Sequence, residues 1–323
     1  MWNHRCYLPH LYTIQKMKKL FLLLLLIPLV SFGQEEEITL ETKTGDIKGS
    51  LLIPPVSEKI AVVLIIAGSG PTDRNGNNPM MTNNSLKMLA KELQKNGIAS
   101  VRYDKRGVGE SKSSVLQESD LRFEDYVQDV EEWIKLLKQD DRFSSIIVLG
   151  HSEGSLIGMI ASHKQEAKKF ISLAGIGITA GNIIRKQLKG QPQFVLDESL
   201  AIIEKLENGE TVEKVSQMLY SLFRPSVQPY MISWFKYDPQ KEIAKLDIPI
   251  LIVQGTTDIQ VSVSDADKLA LANKKSQKQI IEGMNHILKE AQADLQKNIQ
   301  TYSIPDLPLK KELIEVIVKF IEE

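Results

Sequence analysis

The chain has 323 residues, enough for one large α/β domain or for two domains of roughly 150 residues each, and long enough to bury a sizeable core. Hydrophobic residues make up 42% and charged residues 25%, and 19 Gly and 13 Pro are too few for a collagen-like or disordered chain. Forty basic against 41 acidic side chains give a net charge of −1, and residues 1–33 hold four basic and no acidic ones, so the remainder is mildly acidic and nucleic acid is not an expected partner.

The first feature in chain order is a leader. Met17-Lys18-Lys19 precedes the apolar run Leu20–Val30, which is too short to span a hydrocarbon core of about 30 Å. A basic start, a short apolar run and the small residues Ser31 and Gly33 read as a secretory signal peptide cut after Gly33, leaving Gln34 first. Met17 then reads as the start, with residues 1–16 an upstream extension. The expected location is the periplasm or the exterior, with no stable membrane anchor after cleavage. The only cysteine, Cys6, precedes Met17, so the mature chain has no disulfide framework.

Residues 38–53 alternate loosely around Thr44-Gly45-Asp46 and predict a hairpin. Ile60–Ile66 is a continuous β-branched run of the kind buried on both faces. Helical spacing follows over Asn84–Asn96, then a strand over Ile98–Tyr103, a helix over Phe123–Leu137, a strand over Ser145–Leu149, a helix over Ser152–His163 and a strand over Phe170–Ala174. Strand alternating with helix predicts an α/β protein with a mostly parallel sheet flanked by helices. Residues 178–245 interrupt this rhythm with helix-like, strand-free sequence and read as a helical lid insertion. Ile248–Val253 and Lys278–Ile281 resume the sheet, and a helix over Glu312–Ile321 closes the domain, which runs from 34 to 323.

Gly150-His151-Ser152-Glu153-Gly154 fits G-x-S-x-G between a buried strand and a helix, the context of a nucleophile elbow. A serine hydroxyl needs a base to take its proton. Past the leader the chain offers His151, His163 and His286. His151 lies inside the elbow, where its side chain is expected to point away, and His163 lies about 16 Å along the helix. His286, directly after the last strand, is therefore the candidate base. Asp258, just past the C-terminal end of Ile248–Val253, is the candidate orienting acid; Asp265 and Asp267 fall where a helix begins and suit its first turn. The oxyanion donors are assigned to the backbone N–H groups of Glu153 and Ser69, with Gly70 as alternative to Ser69. No metal or organic cofactor is called for.

With these residues in place, Ala67-Gly68-Ser69-Gly70-Pro71-Thr72-Asp73-Arg74-Asn75-Gly76-Asn77, Tyr103-Asp104-Lys105-Arg106-Gly107-Val108-Gly109-Glu110-Ser111, the Ser152 elbow, Asp258 and His286 together resemble a bacterial serine carboxylesterase of the α/β-hydrolase superfamily. The resemblance runs from about residue 38 to the C-terminus. It implies hydrolysis of small-molecule, short-chain acyl esters through a serine acyl-enzyme under a helical cap. Ala67 departs from the pattern, because many relatives carry His there. Alternatives are a peptidase or acyltransferase with the same triad, or a non-catalytic ligand-binding protein of this fold.

Four further features stand out in the sequence. Asp104-Lys105-Arg106-Gly107 could hold a substrate anion or form internal ion pairs. Asp73 and Arg74 are expected to shape the oxyanion loop by pairing. Tyr220, Phe223, Tyr230, Trp234, Phe235 and Tyr237 could line an acyl pocket or pack the lid. Gly175-Ile176-Gly177-Ile178-Thr179-Ala180 fits a dinucleotide fingerprint, but Asp197, at the distance of the ribose acid, lies in strand-free sequence.

Overall fold

Apolar periodicity is converted into a single eight-stranded sheet in the computed structural model, which describes residues 1–2, 35–114, 117–165 and 167–323. The expected signal peptide, its cleavage site and Cys6 lie outside the described residues. In chain order the strands are β1 (Glu35–Leu40), β2 (Ile47–Leu52), β3 (Ile60–Ile66), β4 (Ala99–Tyr103), β5 (Phe143–His151), β6 (Lys169–Leu173), β7 (Ile250–Gly255) and β8 (Gln277–Ile281). They lie in the order β1-β2-β4-β3-β5-β6-β7-β8. The β1–β2 and β2–β4 pairs are antiparallel; every other pair is parallel. The predicted hairpin is therefore an antiparallel edge added to a parallel sheet.

The helices are α1 (Ser85–Lys95), α2 (Phe123–Lys138), α3 (Glu153–Gln165), α4 (Ala180–Leu188), α5 (Gln193–Glu207), α6 (Tyr220–Phe223), α7 (Gln228–Phe235), α8 (Pro239–Ala244), α9 (Val263–Ala272), α10 (Leu295–Thr301) and α11 (Lys311–Glu322). They cover both faces. Val62, Leu64 and Ile66 of β3 face α2, α3 and the helices that follow β6, whereas Val63 and Ile65 face α1 and α11. Full burial of such side chains stabilises by roughly 1.5–3 kcal/mol each, so β3 is a rigid rail for the loop at its end.

Two features of this topology place the site. The chain leaves β3 for β4 on one side and returns to β5 on the other, so the carboxyl ends of β3 and β5 flank a switch point, where crevices form in parallel sheets. Ile66 is paired with Gly150, which sets the residue-67 loop beside the elbow. At the other end Gly255 is paired with Ile281, so the loops carrying Asp258 and His286 also leave side by side. The strand-free stretch contains α4 to α8, a helical insertion between neighbouring strands β6 and β7.

Candidate active site

The elbow is built by steric exclusion. Ser152 sits in the left-handed region at φ 57°, a conformation costing about 1–3 kcal/mol for a residue other than glycine. Its N–H donates to Leu173 O of β6 at 3.0 Å, and α3 begins at the next residue. Glycine is obligatory on both flanks. A Cβ on Gly150 would lie 2.2 Å from Gly154 O, and one on Gly154 would lie 2.5 Å from Ile66 O. The spacing of G-x-S-x-G is thus the condition for β3, β5 and α3 to meet at one point.

Asp258 and His286 meet at the same edge. His286 Nδ1 lies 2.8 Å from Asp258 Oδ2, with both side chains buried. A carboxylate accepts, so the imidazole donates from Nδ1 and Nε2 is left unprotonated. The other bonds to Asp258 come from the Gln260 N–H (2.8 Å) and Val261 N–H (2.9 Å) to Oδ1, and from Gln254 Nε2 (2.9 Å) to Oδ2. Burial opposes ionisation of Asp258, but the neighbouring His286, its hydrogen bond and these N–H donors hold the carboxyl below its ordinary pKa. Asp265 instead closes a capping box with Ser262 at the start of α9, and Asp267 pairs with Lys278 on the surface. His163 is exposed at the far end of α3.

His151 departs from expectation. Its ring does not turn away from the site but lies 4.8 Å, centroid to centroid, from that of His286, and its Nε2 donates to the His286 carbonyl at 2.8 Å. Burial first, then the adjacent His286 ring, pushes its pKa down to about 3. His151 is therefore a neutral brace under the backbone that carries His286. Ser152 Oγ makes no hydrogen bond among the described residues; the bond from such a nucleophile to its base commonly tightens only around substrate.

The β3 loop completes the site. The position of a Gly68 Cβ is 3.1 Å from Ser152 Cβ, so this backbone lies against the serine. Neither the Ser69 nor the Glu153 N–H has a hydrogen-bond partner among the described residues. Asp73 and Arg74 do not pair with each other, because each finds better-placed partners. Asp73 Oδ1 accepts from the Asn75 (2.8 Å) and Asn77 (2.9 Å) N–H groups, while Arg74 pairs with Asp104 and Glu110. The charges of Asp104-Lys105-Arg106 are likewise consumed internally. Asp104 accepts from the Arg74 and Glu110 N–H groups, Arg106 pairs with buried Asp129, and Lys105 pairs with Glu153.

Several polar contacts escaped the sequence reading: the braces Gln254 and His151, the Glu153 side chain, which accepts from Tyr230 Oη at 2.6 Å, and Lys289. Buried Lys289 donates to the Asn83 (2.7 Å) and Ile304 (2.6 Å) carbonyls, and burial lowers its pKa to about 8. A charged residue forced inside a core was the available signal for Glu153, since α3 is buried throughout its first ten residues. Of the aromatic residues of the insertion, Tyr230, Trp234 and Tyr237 pack around Phe123 of α2, and Phe223 is also buried. Tyr220 is exposed. Asp197 lies on α5, and the Gly177 N–H faces Asp265 Oδ1 at 3.3 Å, so Gly175–Ala180 forms no dinucleotide crevice.

Comparison with solved structures identifies this architecture. Est1E from Butyrivibrio proteoclasticus, solved with ferulic acid bound, superposes with a TM-score of 0.61 at 17% identity, over 88% of this chain and 100% of that one. The Pyrococcus furiosus esterase Pf2001 gives 0.58 at 15% identity, over 90% and 91%. The fold is that of the α/β-hydrolases. Residues 81–199 match the family described as serine aminopeptidase, S33. Esterase EstD of Thermotoga maritima is 27% identical over 239 residues, which cover 72% of this chain and 54% of EstD. The chain thus spans about half the length of that curated relative.

Proposed function

We propose that the protein is a serine esterase acting on small-molecule, short-chain acyl esters. The observation that carries this reading is the buried 2.8 Å Asp258–His286 bond on the sheet edge where the strained elbow presents Ser152. His286 Nε2 takes the Ser152 proton as Oγ attacks the ester carbonyl. The N–H groups of Glu153 and Ser69 hold the oxyanion, which is stabilised only as its charge develops. The alcohol leaves with the proton from His286, and water activated by the same imidazole releases the acid. Asp258 keeps the imidazole in the required tautomer and stabilises its charged form. The insertion α4–α8 serves as the lid that sets acyl range. The similarity to Esterase EstD and the AGSGPTDRNGN-type loop both support the ester substrate.

The test is turnover of p-nitrophenyl acetate by the wild type and Ser152→Ala, followed by acyl esters of increasing length. A feruloyl ester belongs in the panel because Est1E holds ferulic acid, and a peptide p-nitroanilide because the matching family is described as an aminopeptidase. Wild-type turnover by Ser152→Ala sinks the reading; cleavage of the anilide and not the esters replaces it with a peptidase. The Met17–Gly33 leader supports export as part of the same proposal, to be checked by whether the mature chain begins at Gln34.

A further inference from the structure

The carboxyl ends of β4, β3 and β5 lie in that spatial order, so a side chain leaving β4 toward the elbow must cross the end of β3. Lys105, two residues past β4 and 1% exposed, takes this path. Its Nζ donates to Gly68 O at 2.5 Å and to Glu153 Oε2 at 3.2 Å, and it sits 4.9 Å from the centre of the Tyr126 ring. The other Glu153 oxygen accepts from Tyr230 Oη, on helix α7 of the insertion. Glu153 is also 1% exposed, and an ion pair so buried persists only where each charge is closely matched.

The atoms gripped by Lys105 are the significant point. Gly68 C=O and Ser69 N–H belong to one planar peptide unit, and the described chain has no cis bond, so the two groups point in opposite directions. Anchoring the carbonyl fixes where the N–H points. A cation on the carbonyl oxygen also withdraws electron density through the peptide and makes its N–H a stronger donor. The second oxyanion donor, the Glu153 N–H, is held by the same cation through its own side chain. We infer that Lys105 is a positioning residue that aligns and polarises both donors of the oxyanion hole, and that the Tyr230 hydroxyl ties this device to the helical insertion. The inference rests on the serine-esterase reading of Ser152. It predicts an effect confined to the charged transition state, because the neutral carbonyl of bound ester gains little from stronger donors.

The full-length chain is tested as wild type, Lys105→Met, Tyr230→Phe and Ser152→Ala, each checked by far-UV circular dichroism and thermal melting. The readouts are kcat and KM for p-nitrophenyl acetate and Ki for a trifluoromethyl ketone, which forms a tetrahedral oxyanion on serine. Loss of an oxyanion donor costs about 10²–10³-fold in kcat. Lys105→Met is therefore expected to lose about 100-fold in kcat with KM within about threefold, and to bind the ketone more weakly by a similar factor. Tyr230→Phe removes one oxygen and should fall about three- to tenfold along the same line, with its fold intact. A folded Lys105→Met with kcat near wild type, with its loss in KM alone, or with unchanged ketone affinity overturns the inference. Should Lys105→Met fail to fold, Tyr230→Phe decides: unchanged kcat and Ki overturn it. An inactive Ser152→Ala beside a fully active Lys105→Met refutes this inference and leaves the esterase reading standing. An active Ser152→Ala refutes both.

Discussion

His151 gives a prediction that needs no substrate. In the unfolded chain its imidazole titrates near 6.5, whereas burial and the adjacent His286 push it down to about 3 in the folded protein. The native tautomer already spends its proton on the His286 carbonyl, and a second proton would sit at Nδ1, which has no acceptor among the described residues. The folded pKa is depressed, so this contribution to stability is fully present above pH 6.5 and is lost as pH falls toward 3. At pH 5 the unfolded chain binds nearly one proton more than the native chain. Relative to pH 7.5 this removes about 2 kcal/mol, a factor of about 30 in the folding equilibrium. His151→Gln keeps an N–H for the carbonyl and cannot titrate. Urea unfolding of both proteins at pH 7.5 and pH 5.0 should show the variant losing about 2 kcal/mol less than the wild type between the two. Equal losses would refute the reasoning, because other titrating groups are common to both proteins and cancel in the comparison.

Other perturbations follow from the same geometry. Asp258→Asn should lower ester turnover by about four orders of magnitude, because an amide favours the wrong imidazole tautomer, with Asp265→Asn nearly silent in the same assay. Arg106→Ala should cost about 3–5 kcal/mol at pH 7.5 by stranding buried Asp129. Burial, against the pull of Arg106, already raises the Asp129 pKa to about 6. The loss should therefore shrink at pH 5, where the stranded carboxyl takes up a proton, as unfolding curves at the two pH values would show. Gly154→Ala drives a Cβ into the Ile66 and Ala67 carbonyls and should destabilise by about 1–3 kcal/mol or more while abolishing turnover, read by thermal melting and p-nitrophenyl acetate together.

What could be read in advance was whatever local chemistry repeats. The β3 run was placed to the residue because five of its seven apolar residues are β-branched, which suits a strand buried on both faces better than a helix. The helices α1, α2 and α11 stood out by the spacing of their apolar faces. The elbow, Asp258 and His286 were readable because their chemistry demands fixed residue types at strand ends. Contacts between segments were not. Nothing near Lys105 in sequence points to Glu153, 48 positions away, and the link exists only because β4, β3 and β5 lie in that order. His151 was misjudged for the same reason: its direction depends on where the β8 loop returns. The short helix α10 went unseen because it is only seven residues long and its two large apolar residues, Leu295 and Ile299, are exposed.

Because the insertion leaves from β6 and rejoins at β7, its immediate neighbour, its two stems are close together and the sheet register is indifferent to its length. Such a segment is a cassette: descendants could lengthen, shorten or exchange it and so drift in substrate preference while the proton-transfer geometry stayed as it was. The Tyr230–Glu153 bond, like the packing of Tyr230, Trp234 and Tyr237 around Phe123, ties the insertion to the body. On the proposal that Lys105 and Tyr230 position the oxyanion hole, a replacement cassette that returned no hydroxyl or equivalent donor to the Glu153 carboxylate would slow the proposed reaction.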